Sequence, residues 1–159
     1  MLIGVISDTH GDRNKIRECL PHLEKVEYIL HAGDYYEDAQ IIAAFTRCKV
    51  IAVTGNCDYM VRGPVEEMLV LGGKRIYLTH GHIYKVKQDL SLLIKRARAL
   101  GTEIAVFGHT HAPQVFRRDG LLFVNPGSLH SPRQGYHPSF ALLEIVKRSA
   151  KARIISLLN

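Results

Sequence analysis

Asp8-Thr9-His10, His31-Ala32-Gly33-Asp34, Thr54-Gly55-Asn56-Cys57-Asp58, Thr79-His80-Gly81-His82 and Gly108-His109-Thr110-His111 each place an aspartate, asparagine or histidine just after a short apolar run. Runs of this length form buried strands, and carboxylates and imidazoles are costly to bury without a partner. Taken singly, each group also reads as a turn or a cap, and His-x-His spacing alone carries little information. Taken together they point to one place, because in sheets of this kind sites form at the carboxyl ends of neighbouring strands. Adjacent glycines let the backbone turn sharply there and let a ligand come close. Asp8, Asp34, Asn56, His10, His80, His109 and His111 converging on one spot need a compensating charge, which a divalent cation supplies. Oxygen and imidazole donors without thiolates suit Mn, Fe, Zn, Ni or Co better than Ca or Mg. Seven donors are too many for one tetrahedral zinc and match two ions sharing a carboxylate, as in two-metal sites with ions ~3.5–4 Å apart.

The elements that must position these groups alternate at first as strand, helix, strand, helix, strand. Leu2 to Ile6 reads as a strand, Asn14 to Leu20 as a helix ended by Pro21, Val26 to Leu30 as a strand, Glu37 to Phe45 as a helix and Val50 to Val53 as a strand. This alternation predicts parallel strands joined by crossover helices. In the second half, Leu69 to Leu71 and Arg75 to Leu78 flank a Gly72-Gly73 hairpin turn. Asp89 to Leu100 is helical with Gly101 as its stop, and Ile104 to Phe107 is a strand. Val115 to Arg117 and Leu121 to Val124 flank Arg118-Asp119-Gly120, while Phe140 to Val146 and Ala152 to Leu158 close the chain as strands. Two packed sheets with helices outside accommodate this count.

The 159 residues, 47% hydrophobic and 23% charged, suit a single globular domain over residues 1–159 that needs no disulfides. Cys19, Cys48 and Cys57 show no Cys-x-x-Cys spacing, which argues against a thiolate zinc site. No apolar run approaches the ~20 residues of a membrane span. The first strand is too short for a signal peptide, so the expected setting is the cytoplasm and no membrane is engaged. The net charge is +6, with basic groups at Lys95-Arg96-Arg98, Arg117-Arg118 and Lys147 to Arg153. A basic surface attracts polyanions. These runs lack aromatic interleaving and read as solvated faces, so nucleic acid is not the favoured partner.

Asp8-x-His10, Gly33-Asp34, Gly55-Asn56-x-Asp58, His80 and Gly108-His109-x-His111 resemble the motifs of the calcineurin-like metallophosphoesterase superfamily. The short chain, Gly-Asn-Cys-Asp, and Asn125-Pro126-Gly127-Ser128 followed by Pro132-Arg133 resemble its small prokaryotic phosphodiesterase subfamily. The resemblance implies an α/β (α+β) fold, a four-layer αββα sandwich of two mixed β-sheets flanked by helices and without a cap domain. It implies two divalent metal ions, manganese foremost, with Asp8, His10 and His111 on the first, Asn56, His80 and His109 on the second, and Asp34 bridging. It further implies a metal-bound hydroxide attacking phosphorus in line, a small phosphodiester as substrate, and catalytic roles for Asn56, Asp58 and His80. Asn56 would also touch a phosphate oxygen.

Cys57 departs from the superfamily, which usually has histidine there to assist the leaving group. A thiol is a poor general acid near neutrality, which predicts a preference for good leaving groups unless His82 or another group takes the role. Cys57 itself is expected to pack. His31 is expected to pack or hydrogen-bond beneath the site, His130 and His137 to line the substrate cleft, and His22 to lie on the surface. Arg133 suits phosphate oxygens and equally suits a loop salt bridge. The alternatives to a phosphodiesterase are a nuclease and a scaffold, since the retromer scaffold subunit shares this fold without an intact ligand set. Small relatives often assemble, which allows a homo-oligomer.

Overall fold

A computed structural model describes residues 1–158. Five strands form the first sheet: β1 (Leu2–Ile6), β2 (Tyr28–His31), β3 (Lys49–Ala52), β9 (Ser139–Val146) and β10 (Ser149–Ser156), in the order β10-β9-β1-β2-β3. Five more form the second: β4 (Glu66–Leu71), β5 (Lys74–Thr79), β6 (Ile104–Val106), β7 (Gln114–Arg118) and β8 (Leu121–Asn125), in the order β4-β5-β6-β8-β7. Each sheet has three parallel strands: β1-β2-β3 end the first sheet, with antiparallel β9 and β10 beyond β1, and β5-β6-β8 form the centre of the second, flanked by antiparallel β4 and β7.

The helices are α1 (Arg13–Cys19), α2 (Asp38–Phe45) and α3 (Ser91–Ala99). Three apolar clusters correspond to the three spaces of a four-layer sandwich. Ile3, Val5, Leu30, Ile76, Leu78, Ile104, Val106 and Val124 meet between the sheets. Ile16 and Cys19 of α1 and Ile42 of α2 pack with Ile6, Ile29 and Phe140 on the outer face of the first sheet. Leu93, Ile94 and Ala97 of α3 pack with Tyr77, Ala105 and Phe123 on the outer face of the second. Period-two alternation makes this division: Ile3 and Val5 face the other sheet while Ile6 faces the helices. The expected αββα sandwich is the observed fold.

Element boundaries differ from the sequence reading where local chemistry decides. Pro21 ends α1 but not the helical path, since it opens a 3₁₀ turn over Leu20–Leu23, where a first-turn proline needs no donor. The second hairpin turn is Asp119-Gly120 alone, both with positive φ, because Arg118 still pairs with Leu121. β10 begins at Ser149, three residues before the expected Ala152, because it pairs tightly with β9 across Lys147-Arg148. Gly101 stops α3 as expected: its amide donates to Arg98 O at 2.9 Å, and the Thr102 amide donates to Ala97 O at 3.2 Å.

Candidate metal centre

The six parallel strands all end toward one edge of the sandwich. β1 leads to Asp8 and His10, β2 to Asp34, β3 to Asn56, β5 to His80, β6 to His109 and His111, and β8 to Ser128. The turns after them are tight and unusual. Asp8, His10, Asp34, His109 and His111 all have positive φ, between 46° and 66°. Left-handed backbone at non-glycine residues costs of order 1–3 kcal/mol each and clusters at functional sites. A side chain at Gly55 would collide with Asp34 Oδ1, and one at Gly108 with Ser7 Oγ, which is why both turns are glycine.

Ligand atoms of Asp8, His10, Asp34 and His111 all lie within 4.8 Å of one another. His10 Nε2 is 3.8 Å from Asp34 Oδ2, and His80 Nε2 is 3.4 Å from Asp34 Oδ1. The two oxygens of Asp34 therefore face different histidines. His80 Nε2 is also 3.2 Å from Asn56 Oδ1, and the His80 and His109 rings are 4.9 Å apart. The structure thus brings together all seven residues that the strand-end pattern singled out.

A cation fits this donor set. Among the described residues, the buried side-chain nitrogens and oxygens without a hydrogen-bond partner are Asp8 Oδ1, His10 Nε2, His82 Nδ1 and His109 Nδ1. Three of these atoms, on Asp8, His10 and His109, belong to the seven strand-end residues, and they are expensive unless something positive completes them. His111 Nε2 approaches Asp8 Oδ1 to 3.0 Å, close enough for their charges to couple, yet outside hydrogen-bonding geometry. The far nitrogens are already engaged. His80 Nδ1 lies 2.8 Å from Ala32 O and His111 Nδ1 2.6 Å from Ser131 O. Both carbonyls accept, so these nitrogens carry the protons and leave Nε2 free, as in metal-ligating histidines.

Electrostatics favour the ligating forms of Asp8, His10 and His109. Burial raises the Asp8 carboxyl, but His111, His80 and the Ser7 hydroxyl outweigh it and hold the group below its usual value. Burial lowers His10 and His82, and lowers His109 to about 4, so these imidazoles stay neutral. His111 moves the other way, raised chiefly by Asp8 beside it. Between its depressed value and the ordinary 6.5, folded His109 binds fewer protons than the unfolded chain, so stability falls as pH drops through that window. His10 and His82 add to this fall and His111 opposes it. The thermal midpoint of metal-free protein is expected to decline from pH 6.5 to about 4, and His109→Asn to flatten that decline.

Other expected site residues are placed as follows. His31 is fully buried beneath the site, with Nε2 3.1 Å from Thr9 Oγ1 and Nδ1 accepting from the Gly33 amide at 3.2 Å. His130 sits beside His10, ring to ring at 5.8 Å, and pairs with Asp12 at 3.1 Å. His82 lies near His80 and His109, while His22 and His137 are exposed. Arg133 is exposed, and its backbone amide donates to His111 O at 3.0 Å.

One expectation is corrected. Cys57 does not pack: it is exposed, and partial burial of its sulfur beside Asp34 pushes the thiol up to about 11. Asp58, expected in catalysis, spends both oxygens on backbone amides, Oδ1 accepting from Tyr36 and Oδ2 from Gly55, each at 2.8 Å. These bonds tie the Asn56 loop to the Asp34 loop.

The sequence reading missed several such residues. Asp38, which looks like an ordinary acidic group in a first helical turn, is buried and accepts from Thr9 Oγ1 at 2.5 Å and the Gly11 amide at 2.9 Å. Ser7 Oγ donates to Asp8 Oδ2 at 2.5 Å, and Ser128 Oγ donates to Asp8 O at 2.8 Å. The available signal was a run of hydroxyls and small residues beside the charged ones.

Fold and site together define an α/β sandwich protein with a candidate metal centre at the carboxyl ends of its strands. The chain belongs to the calcineurin-like phosphoesterase superfamily, whose domain model matches residues 1–148. It is 32% identical over 157 residues to the probable metallophosphoesterase YsnB of Bacillus subtilis, covering 96% of this chain and 89% of that one. Identity to the phosphodiesterase YfcE of Escherichia coli is 33% over 105 residues, covering 60% and 53%. Among solved structures it resembles a predicted phosphoesterase of Streptococcus pneumoniae, with TM-score 0.84, 28% identity and coverage of 98% and 88%. It also resembles a single mutant of Vps29 from Entamoeba histolytica, with TM-score 0.78, 29% identity and coverage of 99% and 100%. No helix among the described residues is long and apolar enough to cross a membrane.

Proposed function

We propose that this single-domain protein is a cytoplasmic, dinuclear metal-dependent phosphodiesterase acting on a small phosphodiester. The observation that carries the reading is the split engagement of Asp34, whose Oδ2 faces His10 while Oδ1 faces His80. Asp8, His10 and His111 would hold one cation, and Asn56, His80 and His109 the other, with Asp34 shared. Manganese heads the expected metals, ahead of nickel, zinc, iron and cobalt. When bound, such a pair supplies an activated water and polarises the phosphoryl oxygens. The chain's own work is positional. Ala32 O and Ser131 O fix the tautomers of His80 and His111, Asp58 locks the Asn56 loop, and exposed Asn56 meets a phosphate oxygen. Arg133 is a second candidate phosphate contact. The raised thiol of Cys57 keeps its proton near neutrality and is a poor general acid there.

Hydrolysis assays after stripping and manganese reloading test this reading. Bis-p-nitrophenyl phosphate is expected to turn over faster than p-nitrophenyl phosphate, and both faster than an unactivated alkyl diester. Preferred cleavage of single-stranded nucleic acid would instead mark a nuclease. A protein that binds metal yet cleaves none of these would be a partner-binding member of the fold, the reading that the likeness to Vps29 keeps in view.

A further inference from the structure

Tyr35 follows Asp34 directly and borders the cluster. Its ring meets the His10 ring edge-on, with centroids 5.4 Å apart. It is nonetheless 45% exposed, and its hydroxyl has no hydrogen-bond partner among the described residues. An exposed tyrosine on a mobile loop would mean little, but this one is fixed. Its backbone is left-handed, with φ 68°. Its carbonyl accepts from the Asp38 amide at 3.0 Å, and the next amide, Tyr36, donates to Asp58 at 2.8 Å. The ring also lies over Gly11, where an added Cβ would crowd it at 3.2 Å. A bulky residue in left-handed backbone, hydrogen-bonded on both sides and nearly half exposed beside the cluster, is the form of a preorganised binding surface.

We infer that Tyr35 is the platform for a flat ring on the substrate, and that the substrate class is a nucleoside phosphodiester whose base stacks there. The inference rests on the proposed phosphodiesterase reading for the placement of the phosphate. A phosphate held at the cluster has His10 at its flank, and the half-exposed Tyr35 ring lies against His10. A base carried one sugar away from phosphorus reaches that face. Every base offers a π-face and gains about 1–3 kcal/mol from an aromatic partner, whichever base it is. Tyr35 would therefore select a ring without selecting its identity, and the free hydroxyl offers an added hydrogen bond to sugar or base.

Calorimetric titration of the manganese-loaded protein with adenosine 5′-monophosphate and with ribose 5-phosphate tests the inference apart from catalysis. Wild type is expected to bind the nucleotide at least tenfold more tightly, Tyr35→Phe to keep most of that preference, and Tyr35→Ala to lose it with metal content unchanged. In parallel, Tyr35→Ala should reduce kcat/KM for a nucleoside diester about tenfold while sparing a dialkyl diester. Equal binding of the two phosphates by wild type, or an equal loss for both in Tyr35→Ala, would overturn the inference and reduce Tyr35 to a prop for His10. Nucleotide preference that depends on Tyr35 in a protein hydrolysing no diester would support the ring subsite and sink the phosphodiesterase reading instead.

Discussion

Asp34→Asn is expected to abolish manganese-dependent hydrolysis of bis-p-nitrophenyl phosphate while leaving the fold in place. Asn has nearly the same shape, and its carbonyl can still accept from the Cys57 amide, which donates to Asp34 Oδ1 at 2.9 Å. What disappears is the negative charge between His10 and His80. Loss of about 4 kcal/mol of charge stabilisation corresponds to about a thousandfold in rate. The metal-free variant should fold at least as well as wild type, because Asp34 is 2% exposed and close to the buried Asp8 cluster, where a carboxylate without a cation is costly. Far-ultraviolet circular dichroism, thermal midpoints and metal content separate the two effects. Activity within tenfold of wild type would show that the bridging assignment is wrong.

Gly55→Ala is expected to reach the same centre through sterics. The new methyl would overlap Asp34 Oδ1, lie 2.5 Å from the Asp34 amide nitrogen and 2.9 Å from its carboxyl carbon. These neighbours are backbone and a buried carboxylate, so neither can swing aside. Overpacking of this kind costs about 1–3 kcal/mol. The displaced carboxylate matters more, because misplacing a catalytic group by ~1 Å costs about a hundredfold in rate. Gly73→Ala is the control for substitution at glycine as such, since nothing lies within 4 Å of a methyl there, although its φ of 74° adds local strain. The thermal midpoint and turnover of both variants check this, and a fully active Gly55→Ala would mean that the Asp34 turn is softer than its contacts indicate.

The fold and the cluster were legible in the sequence for one shared reason. Parallel strands are largely apolar, so the first aspartate or histidine after a run, such as Asp8 after Ile6-Ser7 or His80 after Leu78-Thr79, marks the same edge of the sheets. Period-two alternation then assigned each face. Support for the cluster was not legible, because it depends on contacts between distant turns. Asp38 reaches Thr9 across 29 positions, and Ser128 reaches Asp8 across 120. Asp58 stands out in the motif after Asn56, but its hold on the Tyr36 and Gly55 amides was not legible. Cys57 looked like a packing residue because cysteine is usually buried, whereas the turn that delivers the Cys57 amide to Asp34 leaves its side chain outside. The left-handed backbone at Asp8, His10, Asp34, His109 and His111 was also hidden, since none of these residues is glycine.

The central claim is that the strand ends hold two cations that together make the chain a phosphodiesterase. The measurement that tests it most directly is a manganese titration of stripped protein, with bound metal and bis-p-nitrophenyl phosphate turnover followed in the same samples. The account predicts that turnover stays near background until the second equivalent binds, and then plateaus at two metals per chain. Full turnover at one equivalent, or two bound equivalents without turnover, would contradict it.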